Sequence, residues 1–373
     1  MIRPTTAYID LDALKANYRS IVEFVAREQP SRVPGVIAVV KANAYGHGAG
    51  QVARALEDAG AELLACADIE EGAALRAAGL RVPILVFGAL SVSDLDGLFD
   101  CDLTPTISTP GAAQAVQAAA ARYKRRVRYH LKIDTGMNRL GFRFDNLRRT
   151  LPGLLASENL ELEGLYTHFA TADVPDSPLF EQQRVRFERT IAEVASLGGA
   201  PRFHHASNSA ALLRDSRVWY DLVRPGLLLY GIVPPPLAST VPLRPVMTLF
   251  SRVVAVKGMR SGEVTGYGGR FTAERPTTLA IVPAGYADGL DLRLAGRGVV
   301  LIRGRRAPIV GSVCMDMLMT DVTGMEVSPG DEVVIIGQQG DDRIDAREMA
   351  AAIGTIPWEV VCRVGSRIER VYG

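Results

Sequence analysis

The sequence predicts an α/β protein in two parts: an N-terminal (β/α)8 TIM-type barrel over residues 1–235 and a C-terminal mainly-β domain over residues 236–373. Three observations carry this reading. Short apolar runs alternate with helical patterns through the first two-thirds of the chain, and the alternation stops at the proline-rich stretch Val233-Pro-Pro-Pro236. Beyond that stretch, strand-like segments follow one another closely. A length of 373 residues also fits about two domains on a prior of ~150 residues each.

The elements follow in order. After the opening Ala7–Asp10, apolar residues at Leu14, Tyr18, Ile21, Val22 and Val25 keep helical spacing, with Asp10 or Asp12 as N-cap. Val36–Lys41 reads as a buried strand from its length and β-branched content. Further strands are expected at Leu63–Cys66, Ile84–Phe87, Leu103–Ile107, Val127–Ile133, Leu162–Thr167, Arg202–His205 and Leu222–Val223. Helical patterns at Ala49–Ala59, Ile69–Ala78, Ala112–Ala121 and Glu181–Leu197 separate several of them. Eight strands over this span fit a closed barrel in count and length, although a doubly wound sheet also alternates. Past the prolines, strands are expected at Met247–Val256, Thr277–Val282, Gly298–Ile302, Ala307–Val310 and Glu332–Ile336, with a helix at Asp345–Ile353.

Composition narrows the function classes. With 48% hydrophobic and 22% charged residues, the chain has the means to build a core and is not largely disordered. Forty-two Lys+Arg against 41 Asp+Glu lacks the basic excess of an electrostatic nucleic-acid binder. No apolar run approaches the ~18 residues of a membrane span, and the opening residues show no signal-peptide pattern, so a cytoplasmic protein is expected. Cys66, Cys101, Cys314 and Cys362 are scattered without a zinc-like spacing, which reads as reduced thiols and no metal site. Only five of the basic residues are lysines, so a lysine within a structured segment draws notice.

Lys41 closes the first barrel strand, ahead of Ala42-Asn-Ala-Tyr-Gly-His-Gly48. Strand C-termini form the active face of a barrel, where a lysine can form a Schiff base with an aldehyde cofactor such as pyridoxal phosphate; a solvated lysine ending a strand is the plainer alternative. Arg139, in Lys132-Ile-Asp-Thr-Gly-Met-Asn-Arg139, is suited to fork a substrate carboxylate, or else Asp134 and Arg139 each pair with neighbours in a structural loop. His168 ends the next strand and reads as structural or catalytic. Asn208 and Ser209 offer an amide and a hydroxyl before a helical stretch, and Gly226 lets backbone N–H groups approach a phosphate. Arg224 stands beside that glycine at the end of the eighth strand.

Taken together, these residues are recognisable. Ala38-Val-Val-Lys-Ala-Asn-Ala-Tyr-Gly-His-Gly48 resembles the pyridoxal-phosphate attachment signature of alanine racemases. The resemblance continues in order through Lys132–Gly141, Thr167–Asp173, His205–Ala210, Arg224–Gly226, Gly266–Gly268, Gly285–Gly289 and Cys314–Asp316.

The resemblance implies a homodimer with shared active sites, pyridoxal 5'-phosphate as cofactor and L-/D-alanine as substrate, supplying D-alanine for peptidoglycan. It makes Lys41 both the cofactor's anchor and the base for D-alanine, and Tyr267 of the other subunit the base for L-alanine. His168 and Arg224 stand behind that tyrosine, with Arg224 against the pyridine nitrogen. A guanidinium has no proton to give below about pH 12, so that nitrogen stays neutral and reprotonation is favoured over transamination. Tyr45, Asn208, Ser209, Gly226 and Leu227 are the implied cofactor contacts, and Arg139 and Met315 the carboxylate contacts. Lys132 matches a family lysine that is often carbamylated, and Tyr286 one that narrows the substrate entrance. One departure is clear: where the family usually has a phosphate-binding tyrosine, this chain has Trp358, which donates one bond or simply packs in the core. Competing readings are a broader amino-acid racemase, a pyridoxal-phosphate decarboxylase and a pyridoxal-phosphate carrier.

Overall fold

The computed structural model describes residues 4–90 and 94–373. The chain opens with β1 (Thr6–Ile9) and a helix over Leu11–Glu28, whose N-cap is Asp10. Its carboxylate accepts the Ala13 N–H at 2.7 Å, and Leu14, Ile21 and Val25 bury the inner face. Then follow β2 (Gly35–Val39), β3 (Leu63–Cys66), β4 (Ile84–Val86), β5 (Thr104–Ile107), β6 (Val127–Asp134), the short β7 (Phe142–Arg143), β8 (Leu160–Tyr166), β9 (Phe203–Asn208) and β10 (Leu222–Arg224).

These strands settle the choice between barrel and open sheet. β2 pairs with β3 and with β10, β5 pairs with β6, and the remaining neighbours run β3–β4–β5 and β6–β8–β9–β10, all parallel. The ring of eight is closed, and only β7 hangs on its rim beside β6. Helices over Pro110–Arg122 and Pro178–Ser196 start as their sequences dictate, with Thr109 and Ser177 as caps and proline at the first turn. Phe180, Phe187 and Val194 of the longer helix are buried, each worth ~1.5–3 kcal/mol.

The second part contains β11 (Met247–Arg252), β12 (Ala255–Met259), β13 (Val264–Thr265), β14 (Phe271–Thr272), β15 (Thr277–Val282), β16 (Val299–Ile302), β17 (Arg305–Val310), β18 (Leu318–Asp321), β19 (Glu332–Gln339), β20 (Asp342–Ile344) and β21 (Glu369–Tyr372). Ten strands make one sheet in the order β12-β15-β18-β17-β16-β19-β11-β1-β21, with β20 beside β19. The single strand expected over Met247–Val256 is two strands, β11 and β12, which lie far apart in that order. Residues 6–9 belong to this sheet: β1 runs antiparallel to β11 and parallel to β21. Asn17 strengthens the tie where the chain leaves the barrel. Its amide donates to Leu229 O and Arg244 O at 3.0 and 2.7 Å and accepts the Arg244 N–H at 2.7 Å. Among the described residues, no helix is long and apolar enough to cross a membrane.

Candidate active site

Lys41 lies two residues beyond the end of β2 and opens a left-handed turn. Ala42, Asn43, Ala44 and Tyr45 all have φ between 51 and 54°. Each L-residue in that region costs roughly 1–2 kcal/mol, so outside bonds must hold it. Glu71 supplies one: its two carboxylate oxygens accept the N–H groups of Ala42 and Ala67, both at 2.7 Å. Asn43 Oδ1 accepts the Ala49 N–H at 2.8 Å, and Gly46 packs against the Val361 carbonyl with no room for a Cβ. The turn thereby fixes where Lys41 and Tyr45 project.

Arg224 ends β10 and is 4% exposed. Its Nη1 donates to His205 Nδ1 at 2.8 Å. Its Nη2 donates to the carbonyls of Thr167 and Ala206, both at 2.9 Å, and to His168 Nδ1 at 3.1 Å. A guanidinium only donates, so both imidazoles accept at Nδ1. Burial, and then the Arg224 charge, hold His168 and His205 well below the usual histidine range, so each is neutral and carries its proton on Nε2. Burial draws Arg224 itself down to about 10, which leaves it cationic at neutral pH. Tyr166 forms a floor, its ring centroid 5.3 Å from Arg224 Cζ and 5.7 Å from Lys132 Nζ.

Lys132 on β6 is 6% exposed and sits pushed down to about 8 by burial and by the charges of Arg139, Arg224 and Lys41. Lys41 is likewise lowered, by burial first and then Arg139, against the raising influence of Cys362 and Glu71. These mutual influences put Lys41, Lys132, Arg139, His168 and Arg224 around one mouth of the barrel. Asp134 Oδ1 accepts the N–H groups of Gly136 and Asn138 at 2.9 and 3.0 Å, shaping the turn that carries an exposed Arg139.

Ser209 Oγ accepts the Gly226 N–H at 3.0 Å and the Leu228 N–H at 3.5 Å, which joins the start of the Ser209–Arg214 helix to the Leu227–Tyr230 turn. A Cβ on Gly226 would stand 2.6 Å from Tyr45 Oη, so the tyrosine hydroxyl meets that same backbone. Asn208 is the helix cap, its Oδ1 accepting the Ala211 N–H at 2.9 Å. Trp358 sits on the Pro357–Cys362 helix, which packs against the Lys41 turn, and is partly buried against the main core.

Tyr267, Tyr286 and Met315 stand elsewhere, on the second part. Ser312 Oγ donates to Tyr267 O at 2.6 Å, and the N–H groups of Tyr286 and Ala287 donate to Cys314 O and Met315 O, both at 3.0 Å. The three side chains are 78%, 42% and 52% exposed, a clustered display of large apolar groups.

A parallel barrel whose mouth carries two lysines and two arginines, joined to a mainly-β part, defines an enzyme class with its site at the C-terminal ends of the strands. The family models for the alanine racemase N-terminal and C-terminal domains match residues 9–234 and 246–372. A relative from Carboxydothermus hydrogenoformans named alanine racemase is 41% identical over the full length of both chains. The solved alanine racemase from D-cycloserine-producing Streptomyces lavendulae superposes with a TM-score of 0.94 at 36% identity, covering 100% of this chain and 98% of that one. A Bartonella henselae alanine racemase, described with covalently bound pyridoxal phosphate, gives 0.89 at 29% identity over 99% of each chain. The chain belongs to the alanine racemase family.

Sequence reasoning missed Glu71, His130, Tyr166 and Cys362, and gave His205 no role although it lies in a quoted segment. Glu71 is the hardest to foresee, because its partners are backbone N–H groups on two different loops.

Proposed function

We propose that the chain interconverts L- and D-alanine with pyridoxal 5'-phosphate, in a site completed by a second copy of the chain. The donor set fits that cofactor. Four basic side chains surround the mouth, while the nearby carboxylates Glu71 and Asp134 are engaged by backbone N–H groups, so the site is rich in basic groups and suited to anions. A phosphate and a substrate carboxylate supply the missing anions. When bound, the cofactor withdraws electrons from the substrate's Cα–H bond and makes its proton removable.

Lys41 anchors the cofactor. Its lowered proton affinity favours the free amine needed both for attachment and for taking a proton on one face. Tyr45, Ser209 and the Gly226–Leu227 backbone hold the phosphate, with Asn208 capping the helix that presents Ser209 and Trp358 flanking the turn. Arg224, which has no proton to give, would face the pyridine nitrogen and leave it unprotonated. Arg139 and the Met315 backbone of the second copy receive the carboxylate, a carbamylated Lys132 orients Arg139, and Tyr286 narrows the entrance.

Tyr267 of the second copy takes or returns the proton on the other face. His168 donates from Nε2 toward the site, and such a donor favours a phenolate acceptor. The exposed cluster of Tyr267, Tyr286 and Met315 supports a partner surface there.

The observation that carries the reading is the Arg224 fork between His168 and His205, a cation where a decarboxylase of this architecture would need a carboxylate. The test is α-proton exchange in deuterated water with added pyridoxal phosphate, using L-alanine, D-alanine, L-serine, L-lysine and L-ornithine. Deuteration of both alanine enantiomers with appearance of the mirror form is expected. Release of amine and carbon dioxide, faster exchange of another amino acid, or no exchange would overturn it.

A further inference from the structure

Behind Arg224 the hydrogen bonds continue away from the mouth. His205 Nε2 lies 2.8 Å from His130 Nδ1, and His130 Nε2 lies 3.5 Å from Glu163 Oε2. Both imidazoles are buried, at 0% and 1% exposure. Glu163 is the point where the row reaches the surface, with Arg128 Nη1 at 3.0 Å from its other oxygen and Arg202 acting on it from the start of β9.

The row has one direction. Arg224 donates to His205 Nδ1, so the neutral His205 carries its proton on Nε2 and donates it to His130 Nδ1. His130, also held neutral by burial, must then carry its proton on Nε2, pointing at the Glu163 carboxylate. A buried cation at one end and a partly exposed anion at the other polarise every bond between them.

The backbone is shaped to permit this row. His130 and His205 lie on β6 and β9, which are not neighbours; β8 runs between them. They meet across Gly164, where a Cβ would stand 2.6 Å from His130 Nδ1. Gly164 pairs with His130 while Leu162 pairs with Tyr129, so Glu163 is an extra residue in the β8 register. Bulges re-aim side chains, and this one brings Glu163 to the histidine.

We propose that Glu163 and His130 are positioning residues for the racemisation: the carboxylate accepts the Nε2 proton of His130 and holds the His130 and His205 rings in place, and thereby sets the angle at which Arg224 is presented at the mouth. This rests on the reading that Arg224 faces the cofactor.

The test uses the holoenzyme labelled with 15N in its five histidines, assigned by single substitution. Long-range 1H–15N spectra are expected to show neutral His130 and His205, both protonated at Nε2. Glu163→Ala is expected to keep both tautomers but shift the Nε2–H signals of His130 and His205, and to lower kcat roughly tenfold, without moving the KM for alanine or the melting temperature comparably. Glu163→Gln, whose amide oxygen still accepts from Nε2–H, is expected to return both signals close to the wild-type positions and kcat to within about twofold. Gly164→Ala, which displaces the His130 ring without deleting a polar group, is expected to behave like Glu163→Ala. Wild-type His205 protonated at Nδ1, spectra unchanged in Glu163→Ala, or equal losses in the Ala and Gln variants would each overturn the proposal. Because the spectra need no turnover, they decide the row of protons even if the racemase reading itself fails in the exchange assay.

Discussion

Tyr45 and Gly226 meet at the point where the left-handed turn of one strand faces the loop after another: a methyl group on residue 226 would sit 2.6 Å from the tyrosine hydroxyl. The glycine is there for space. Gly226→Ala is expected to push Tyr45 aside and weaken pyridoxal-phosphate binding roughly tenfold, measured by titrating the apoprotein with cofactor. Tyr45→Phe removes the colliding oxygen, so the double variant should bind better than the two separate losses predict. Strict additivity would show that the residues do not share a site.

Arg224→Glu exchanges a four-bond donor for an acceptor among His168, His205 and two carbonyls. Loss of racemisation by at least about 100-fold is expected. A carboxylate can keep a pyridine nitrogen protonated, so part of the remaining turnover should leak into transamination, read as pyruvate. Pyruvate-free turnover at the wild-type rate would remove Arg224 from its assigned place.

Tyr267→Ala should separate the two faces. Exchange of the D-alanine α-proton should persist while exchange from L-alanine falls by roughly 100-fold or more. Equal loss for both enantiomers would contradict the two-base assignment. A site built from two copies also predicts that activity per chain declines on dilution, in step with the dimer fraction measured by sedimentation.

Lys132 gives a pH signature. Its folded value of about 8 lies below the ordinary 10.5, so the unfolded chain binds more protons between those limits and stability rises with pH through that window. Below about pH 8 the penalty is complete, ~3 kcal/mol. Lys132→Met should therefore raise the urea midpoint near neutral pH in carbon-dioxide-free buffer, and the gain should fade toward pH 10.5. Bicarbonate, which reacts through carbon dioxide with the neutral amine, should stabilise the wild type and narrow the difference. An unchanged midpoint for the variant would show that Lys132 is better solvated than its burial implies.

Local pattern made much of the fold legible. Leu63–Cys66 and Thr277–Val282 are strands over the residues expected, because short β-branched and apolar runs bounded by turns leave little choice. β1 shows the limit. The opening residues carry no strand assignment in the sequence reading, because the partners that make them a strand are residues 247–250 and 369–372, which no local pattern can name. At the site, Lys41, Arg139 and Arg224 were visible as unusual residues at strand ends. Glu163 was not, because a one-residue register shift decides where it points, and alternation alone would have turned it away from His130.

The turn after Lys41 has a consequence of handedness. Ala42 and Ala44 adopt φ/ψ of 53°/52° and 54°/50°, the mirror image of an ordinary helical turn. That region is disfavoured for L-residues and comfortable for their D counterparts. A chain assembled by ligation with D-alanine at position 42, where the side chain is exposed, should be the more stable by ~1 kcal/mol, provided the Glu71 bond to its N–H survives. The protein's own backbone thus holds, beside its reactive lysine, a conformation better matched to the enantiomer it is proposed to make.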